Sequence, residues 1–583
     1  MDRQGWIAVI LCIAGLVLWQ WFYVQEYSRP PQPATATAST APGEEPTPVA
    51  PTPTPETILQ SPAPKAGPSI SARSQSVSSK NAEYVFSNDA GGIEKAILLL
   101  HLAEQKQAVA LNGNRSMPIG ALGFRAGEVT GGFEMEPIGR DRQVVFRKTE
   151  EDGLEIIKTF TPPADDAPNP YIVGLEVAFR NTGASKVGRD GFFVSTGGAA
   201  PIHANDLPMY TKFDWNHGGK TTGIDVNWFN PGGIPFLGIQ WSGAKSHYNE
   251  LKPDVAWAGV TSQYFCTIVT AGKTKGSAVW ATRFNAQKLN ETPVLGIQGA
   301  LGLPPFSLAP GEKVSETFSI YAGPKDLMLL RAMGAGQDAA LNFGMFGFIS
   351  EFLLWAMNTI HGFVGNFAAS IIILTLIIKS ALWPVQNKAT NEMRKMAALS
   401  PKMTEMREKF KDEPQKLNEE MMKMYREYGV NPFSGCLPML IQIPIFFGFY
   451  AMLGSAIELR NSSFLWVGDL SQPDTIFRLL GFPINILPIV MAGTMVWQMI
   501  ITPKSGDAMQ QRIFYFMPII FLVFCYNYAS ALALYWTTQN IFSIVQLYLT
   551  RNKPLPELEK KSVIAKREAA AAATGKKKKR PKT

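Results

Sequence analysis

Residues 514–549 read FYFMPIIFLVFCYNYASALALYWTTQNIFSIVQLYL, 36 positions without one Asp, Glu, Lys or Arg. A single helix of that length would run ~54 Å and overshoot the ~30 Å hydrocarbon core of a bilayer. The stretch must therefore fold back, and Asn527-Tyr528-Ala529-Ser530 holds the residues that suit a turn. Two membrane spans follow, and the rest of the chain can be read outward from them.

Upstream lie four more apolar runs. Trp6 to Val24 falls within an N-terminal anchor, residues 1–28; no small-x-small site follows it, which argues against a cleaved signal. Asn366 to Trp383 reads as a second span closed by Pro384 (366–384), residues 432–457 as a third and 482–502 as a fourth. Met345 to Gly365 carries Glu351 and His361 among aromatic and aliphatic residues, which suits an amphipathic helix in the interface. With 514–549 this makes a polytopic α-helical membrane protein, an N-terminal anchor plus a five-helix core.

Charge is segregated. Hydrophobic residues are 46% of the chain and charged residues 17%, below the ~25% of soluble proteins, while mean hydropathy is only +0.01. Of the net +8, residues 551–583 contribute +9 and everything before them −1. That excludes a globally basic binder of DNA and leaves a membrane protein with a basic cytoplasmic tail (550–583). Residues 385–431 hold ten Lys/Arg, whereas 458–481 hold only Arg460 and Arg478. The basic loops, the short 503–513 loop among them, mark the cytoplasmic side. Both termini are then cytoplasmic in a bacterial inner membrane, with 458–481 outside.

Residues 29–80 are rich in Pro, Ala, Thr and Ser and read as an extended linker. From 81 to 325, period-2 runs such as Glu155-Ile156-Ile157-Lys158-Thr159-Phe160 alternate with Gly and Asn-Gly turns, predicting an all-β sandwich outside the cytoplasm. Gly219-Lys220-Thr221 and Gly272-Lys273-Thr274 lack the earlier glycine of a phosphate loop and read as turns. Four scattered cysteines and five histidines, with no CxxC and no HExxH, speak against a disulfide framework, a metal site and metallohydrolase chemistry; no cofactor is expected.

Within 385–431, Ser400-Pro401 reads as a helix start and Pro414 as a second, giving a cytoplasmic helical hairpin. Met393, Met396, Leu399, Met403, Met406 and Phe410 share one face; Leu417, Met421, Met424 and Tyr428 form another stripe. These stripes either pack the two helices together or offer a pliable methionine surface, with Met403, Met406, Met421 and Met424 touching apolar client segments.

Several motifs together resemble the YidC-type membrane protein insertases of Gram-negative bacteria: Ile360-His361-Gly362-Phe363-Val364-Gly365-Asn366, the run from Asn431-Pro432-Phe433 through Pro438 to Ile445-Phe446, Asp507-Ala508-Met509-Gln510-Gln511 with Phe516-Met517-Pro518, and Tyr321-Ala322-Gly323-Pro324-Lys325-Asp326. The resemblance implies a periplasmic supersandwich and a hydrophilic groove open to the cytoplasm and to lipid. Nascent membrane proteins would insert along it, alone or with Sec translocon components, without nucleotide hydrolysis or other enzymatic chemistry. Lys379 matches the family's groove arginine, Thr375 a groove threonine and Tyr535 an aromatic position of the last span. Trp536 stands where a second tyrosine is usual, and Ala529-Ser530-Ala531 replaces a Pro-Ser-Gly turn. Asn540 belongs to the same polar set as Thr537, Thr538, Gln539, Ser543 and Gln546 in the last span. Read without the family, Lys379 suits a snorkelling interface lysine equally well. In the tail, Lys576, Lys577, Lys578, Lys579 and Arg580 suit either anionic lipid or a ribosome. An accessory translocon subunit and a transporter are the rival functions; the spans proper carry no carboxylate and no internal repeat, which speaks against the transporter.

Overall fold

The computed structural model describes residues 73–551, apart from 104–106, 114–115, 140, 204–205, 235–238, 287–293, 431–436 and 503–507, and also residue 563. The N-terminal anchor and Lys576–Arg580 lie outside the described residues. Contacts divide the chain into two compact units, one ending at Leu341 and the other beginning at Asn342.

The first unit is built on antiparallel β-sheets. Its strands alternate as the sequence requires: in Leu154–Thr161 the side chains of Leu154, Ile156, Lys158 and Phe160 are buried and their neighbours are less so. That strand pairs with Ile172–Asn181, placing Phe160 opposite Leu175, and Ile172–Asn181 pairs in turn with Lys313–Pro324. These belong to a 13-stranded sheet, and a separate four-stranded sheet is formed by Ser74–Ser78, Ala82–Ser87, Gly92–Leu102 and Ala108–Leu111. Phe86 of the small sheet meets Phe160 and Phe146 of the large one, with ring centroids 5.4 and 6.4 Å apart. Two apolar faces closing on each other make the sandwich.

The expected linker end is corrected here. Composition predicts a linker over all of 29–80, but Ser74–Ser78 is a strand, paired with Ala82–Ser87 through Val77 opposite Tyr84. Its sequence, SQSVS, carries one large apolar residue, so the backbone ladder rather than composition makes it a strand. Neither Gly-Lys-Thr segment opens a helix: Gly218 and Gly219, both at positive φ, turn the hairpin between Lys212–His217 and Lys220–Asp225, so Lys220 and Thr221 already belong to a strand, and Gly272-Lys273-Thr274 lies in the bend between two strands.

The alternation also drives ionisable groups inside. Lys158 is fully buried; its ammonium donates to the carbonyls of Ala90 (3.0 Å) and Gly120 (3.4 Å) and lies over the Phe133 ring at 4.3 Å. Burial pushes its pKa well below the lysine range. Lys325 is likewise pushed down to about 8 by burial, and burial raises Asp214. A short helix, α1 (Leu327–Ala332), follows the last strand; the Asp326 carboxylate accepts from the Met328 and Leu329 amides and caps it.

The second unit is helical: α2 (Gly347–Val364), α3 (Phe367–Lys409), α4 (Pro414–Tyr428), α5 (Leu437–Ser455), α6 (Ile486–Ile501), α7 (Ala508–Cys525) and α8 (Ser530–Arg551). Helix α3 packs on α2 and α8, α6 on α7 and α8, and α5 on α2 and α8. Among the described residues α3 alone is long and apolar enough to span a membrane by itself; Ile441–Ser455, Ile486–Ile501 and Tyr515–Cys525 are shorter apolar helices. The turn after Cys525 is held by the 469–472 segment, whose Gln472 carbonyl accepts from the Ser530 amide at 2.9 Å.

Two boundaries differ from expectation. Pro384 does not close the helix that begins at Phe367, nor does Ser400-Pro401 open a new one; α3 runs through both prolines for 43 residues, about 65 Å. Each proline removes one helical donor, but the Met, Ala, Lys and Glu residues around them are strong helix formers and carry the helix past. The 482–502 span also begins differently. Phe482–Asn485 is a strand paired with Thr475–Leu479, and helix starts only at Ile486. The cap is remote: Asp474 Oδ2 accepts from the amides of Ile486 (3.0 Å) and Leu487 (2.7 Å), placing a carboxylate at the positive end of α6.

Candidate functional site

Three helices present polar side chains to one another. On α3, Thr375, Ile378 and Lys379 share a face by their i, i+3 and i+4 spacing; on α5 Gln442, Ile445 and Phe449 do so; on α8 Tyr535 and Gln539 lie one turn apart. Together they line a small cleft between the three helices. Lys379 is 4% exposed, Thr375 1% and Tyr535 2%, so the ammonium lies inside the bundle.

Gln442 organises the cluster. Its Nε2 donates to Tyr535 OH at 3.0 Å and to Gln539 Oε1 at 3.2 Å, which turns Oε1 toward Lys379 Nζ at 3.4 Å. Tyr535 is fixed from behind by the Phe449 ring, stacked at 4.0 Å. The Thr375 hydroxyl donates to the Ile371 carbonyl at 2.7 Å, one turn back on its own helix. Among the described residues no carboxylate lies within ion-pairing distance of Lys379, and its one hydrogen bond, to Gln442, is long. Lys379 is thus a buried lysine whose ammonium meets the Gln442 amide and, among the described residues, no carboxylate.

Of the residues singled out in the sequence, the structure brings Lys379, Thr375 and Tyr535 together. Trp536 points elsewhere, into an aromatic cluster with Phe521 (4.3 Å) and Phe446 (4.7 Å). Asn540 does not join the cleft: its amide donates to Thr494 Oγ1 at 3.0 Å and ties α8 to α6. Its neighbour Gln546 donates to Asn387 on α3 at 3.2 Å, and Arg394 donates to the Thr550 carbonyl. Several polar residues of α8 therefore join helices, as in other membrane bundles. Gln442 is the cleft residue absent from the sequence reading, whereas Gln539 stands in the polar set of the last span. A lone amide in the apolar run of α5 was the available signal for Gln442.

The methionine stripes resolve mostly toward packing. Met403 and Met424 are buried with Met396, Leu399 and Val430 between α3 and α4, while Met406 and Met421 are partly exposed at the edge of that cluster. Expected client contact through Met403 and Met424 is thereby corrected: a side chain spent on the core between two helices is not available to a passing segment.

A β-sandwich unit followed in the chain by an apolar helical bundle that buries a lysine among amide side chains is the organisation of a helical membrane protein with a separate β domain. Residues 102–356 match the YidC periplasmic domain, and residues 359–557 match the family described as 60Kd inner membrane protein. The membrane protein insertase YidC of Syntrophus aciditrophicus is 29% identical over 580 residues, covering 94% of this chain and 99% of the relative. That of Nitratidesulfovibrio vulgaris strain DP4 is 30% identical over 577 residues, covering 94% and 98%. A solved structure of an active YidC insertase with its first transmembrane domain resolved aligns at a TM-score of 0.35 and 17% identity, covering 83% of this chain and 94% of that one. The chain belongs to the YidC family of membrane protein insertases, a non-enzymatic family of the inner membrane.

Proposed function

We propose that this chain inserts nascent membrane proteins into the bacterial inner membrane, drawing their polar tails into the cleft around Lys379, Thr375, Gln442, Tyr535 and Gln539. Lys379 carries the reading: a buried ammonium without a carboxylate partner costs several kcal/mol unless something offsets it. An anionic segment in transit supplies that offset transiently. Lys379 lies about 18 Å along α3 from Phe367, past the middle of a ~30 Å core and toward the basic side.

In this reading the anchor, the first half of α3, and α5, α6, α7 and α8 cross the membrane. The α3 extension with α4 forms the cytoplasmic hairpin, and both termini are cytoplasmic. The ten Lys/Arg of 385–431 against two in 458–481 support that orientation. Met406 and Met421 at the hairpin edge receive apolar client segments. Sec translocon components, ribosomes and anionic lipids are the partners of this cycle, the last two through Lys576–Arg580. A photocrosslinking amino acid at Ile378 tests the cleft: ribosome-arrested membrane proteins should crosslink there with a yield that varies with the length of exposed chain. Crosslinks only from lipid-facing Ile489, at every length, would refute passage through the cleft.

A further inference from the structure

Thr475–Leu479 and Phe482–Asn485 form a two-stranded hairpin that ends directly on α6. All five residues of the first strand are exposed, and so are Leu480, Gly481 and Phe482. Their character is the opposite of what water selects: Ile476 is 47% exposed, Phe477 53%, Leu479 58%, Phe482 58% and Leu480 100%. The two-residue tip, Leu480-Gly481, has φ of 51° and 84°. Such a turn, with both central residues at positive φ, favours Asn-Gly. A leucine there is strained, and among the described residues its side chain has no neighbour that shields it. A fully exposed leucine in a conformation that suits asparagine better points to an apolar medium at the tip.

The helix that follows says where that medium is. Helix α6 has 16 residues, about 24 Å, which falls ~6 Å short of a ~30 Å hydrocarbon core. Its outward face (Ile489, Val490, Val496, Trp497 and Ile500) is exposed and apolar, as a lipid-facing surface is. The hairpin prolongs that face without an intervening loop. A two-stranded hairpin has two open edges, and unpaired backbone donors and acceptors exclude it from the hydrocarbon centre. The boundary between headgroups and acyl chains meets both demands, since apolar tips enter the chains while edges and Arg478 reach headgroups and water.

We propose that residues 475–485 are a lipid-embedded hairpin that dips into the boundary layer of the leaflet facing away from the basic loops and sets the depth of α6. The choice of leaflet rests on the orientation proposed above; the depth does not. Full-length protein carrying Leu480→Cys, with its four native cysteines replaced by serine, is labelled with an environment-sensitive fluorophore and reconstituted in phosphatidylethanolamine/phosphatidylglycerol vesicles. Lipids brominated near the carbonyl end of the acyl chain should quench the label at least twofold more than soluble iodide does. A label on exposed Ser307 of the β unit should show the reverse. In a Leu480→Asn, Phe482→Ser background, which keeps the turn, a label at Leu479→Cys should lose at least half its lipid quenching. Iodide quenching at position 480 equal to that at 307 overturns the proposal. So does shielding from both quenchers, which would mean a protein contact instead. Both results are independent of which way the protein faces, so a wrong orientation and a wrong depth give different outcomes.

Discussion

Replacing Lys379 with methionine removes the one cation that lines the cleft among the described residues while keeping most of the side-chain volume. Among the described residues the hydrogen bond lost is the 3.4 Å contact to Gln442 Oε1, and Gln442 retains Tyr535 and Gln539 as partners. The structural cost is therefore small and the effect on function is electrostatic. A carboxylate in a client tail passing about 4 Å from Nζ would gain on the order of 4 kcal/mol at an effective dielectric of ~20. Desolvation consumes part of that; if about half survives in the rate-limiting passage, insertion of an acidic tail slows on the order of 30-fold without the charge. An otherwise identical tail bearing Asn in place of Asp loses only a charge–dipole interaction and should change by less than about threefold. Lys379→Arg should retain activity on both tails, and Lys379→Glu should be worst for the acidic one. The assay is protease protection of the tail in proteoliposomes, with rates compared for the Asp and Asn versions. Equal impairment of both tails by Lys379→Met and Lys379→Glu would refute the electrostatic reasoning and leave Lys379 a packing residue.

Three further outcomes follow from other parts of the molecule. Removing residues 551–583 should abolish cosedimentation with ribosomes at low salt and leave nothing for a salt series to titrate; unchanged binding assigns the basic tail to lipid. Met403→Ala or Met424→Ala should destabilise the α3–α4 pairing by about 2 kcal/mol or more and speed tryptic cleavage at Lys411, whereas Met406→Ala or Met421→Ala should lower client crosslinking without faster cleavage. In the β unit, buried Lys325 has its pKa depressed to about 8, so between pH 8 and 10 the unfolded state holds more protons there and stability rises with pH, by about 3 kcal/mol over the full shift. Lys325→Met should flatten that rise in thermal unfolding of a 73–341 fragment; a slope unchanged by the substitution would show that Lys325 is not its source.

The fold-back of the last apolar run was legible because hydrophobicity is non-directional and length-limited. The 36 uncharged residues of 514–549 admit only a fold-back, and Cys525 and Ser530 do end and begin helices. The alternation in 154–161 gave both the strand and, unnoticed, the burial of Lys158. Proline misled because local geometry says a helix should stop at 384 and 401, whereas propensity on either side carries α3 onward. Phe482–Asn485 misled for another reason: an apolar strand and an apolar helix turn have the same composition, and the Asp474 cap that fixes the helix start is 12 residues away in sequence. Within the site, Lys379, Thr375 and Tyr535 came from a family resemblance. Gln442 escaped because its role depends on three helices meeting, and Asn540 was misplaced because a polar residue on a membrane helix serves a cleft and a helix joint equally well until the neighbours are known.

Insertion by the purified chain tests the central claim most directly. The full-length protein is reconstituted alone in liposomes of inner-membrane lipids, with no translocon, no nucleotide and no ion gradient, and presented with a small single-span membrane protein. The client's tail should become protease-protected inside the vesicle in proportion to the amount of protein. Protection no greater than in protein-free liposomes, restored only when translocon components are added, would contradict the claim and make the chain an accessory subunit.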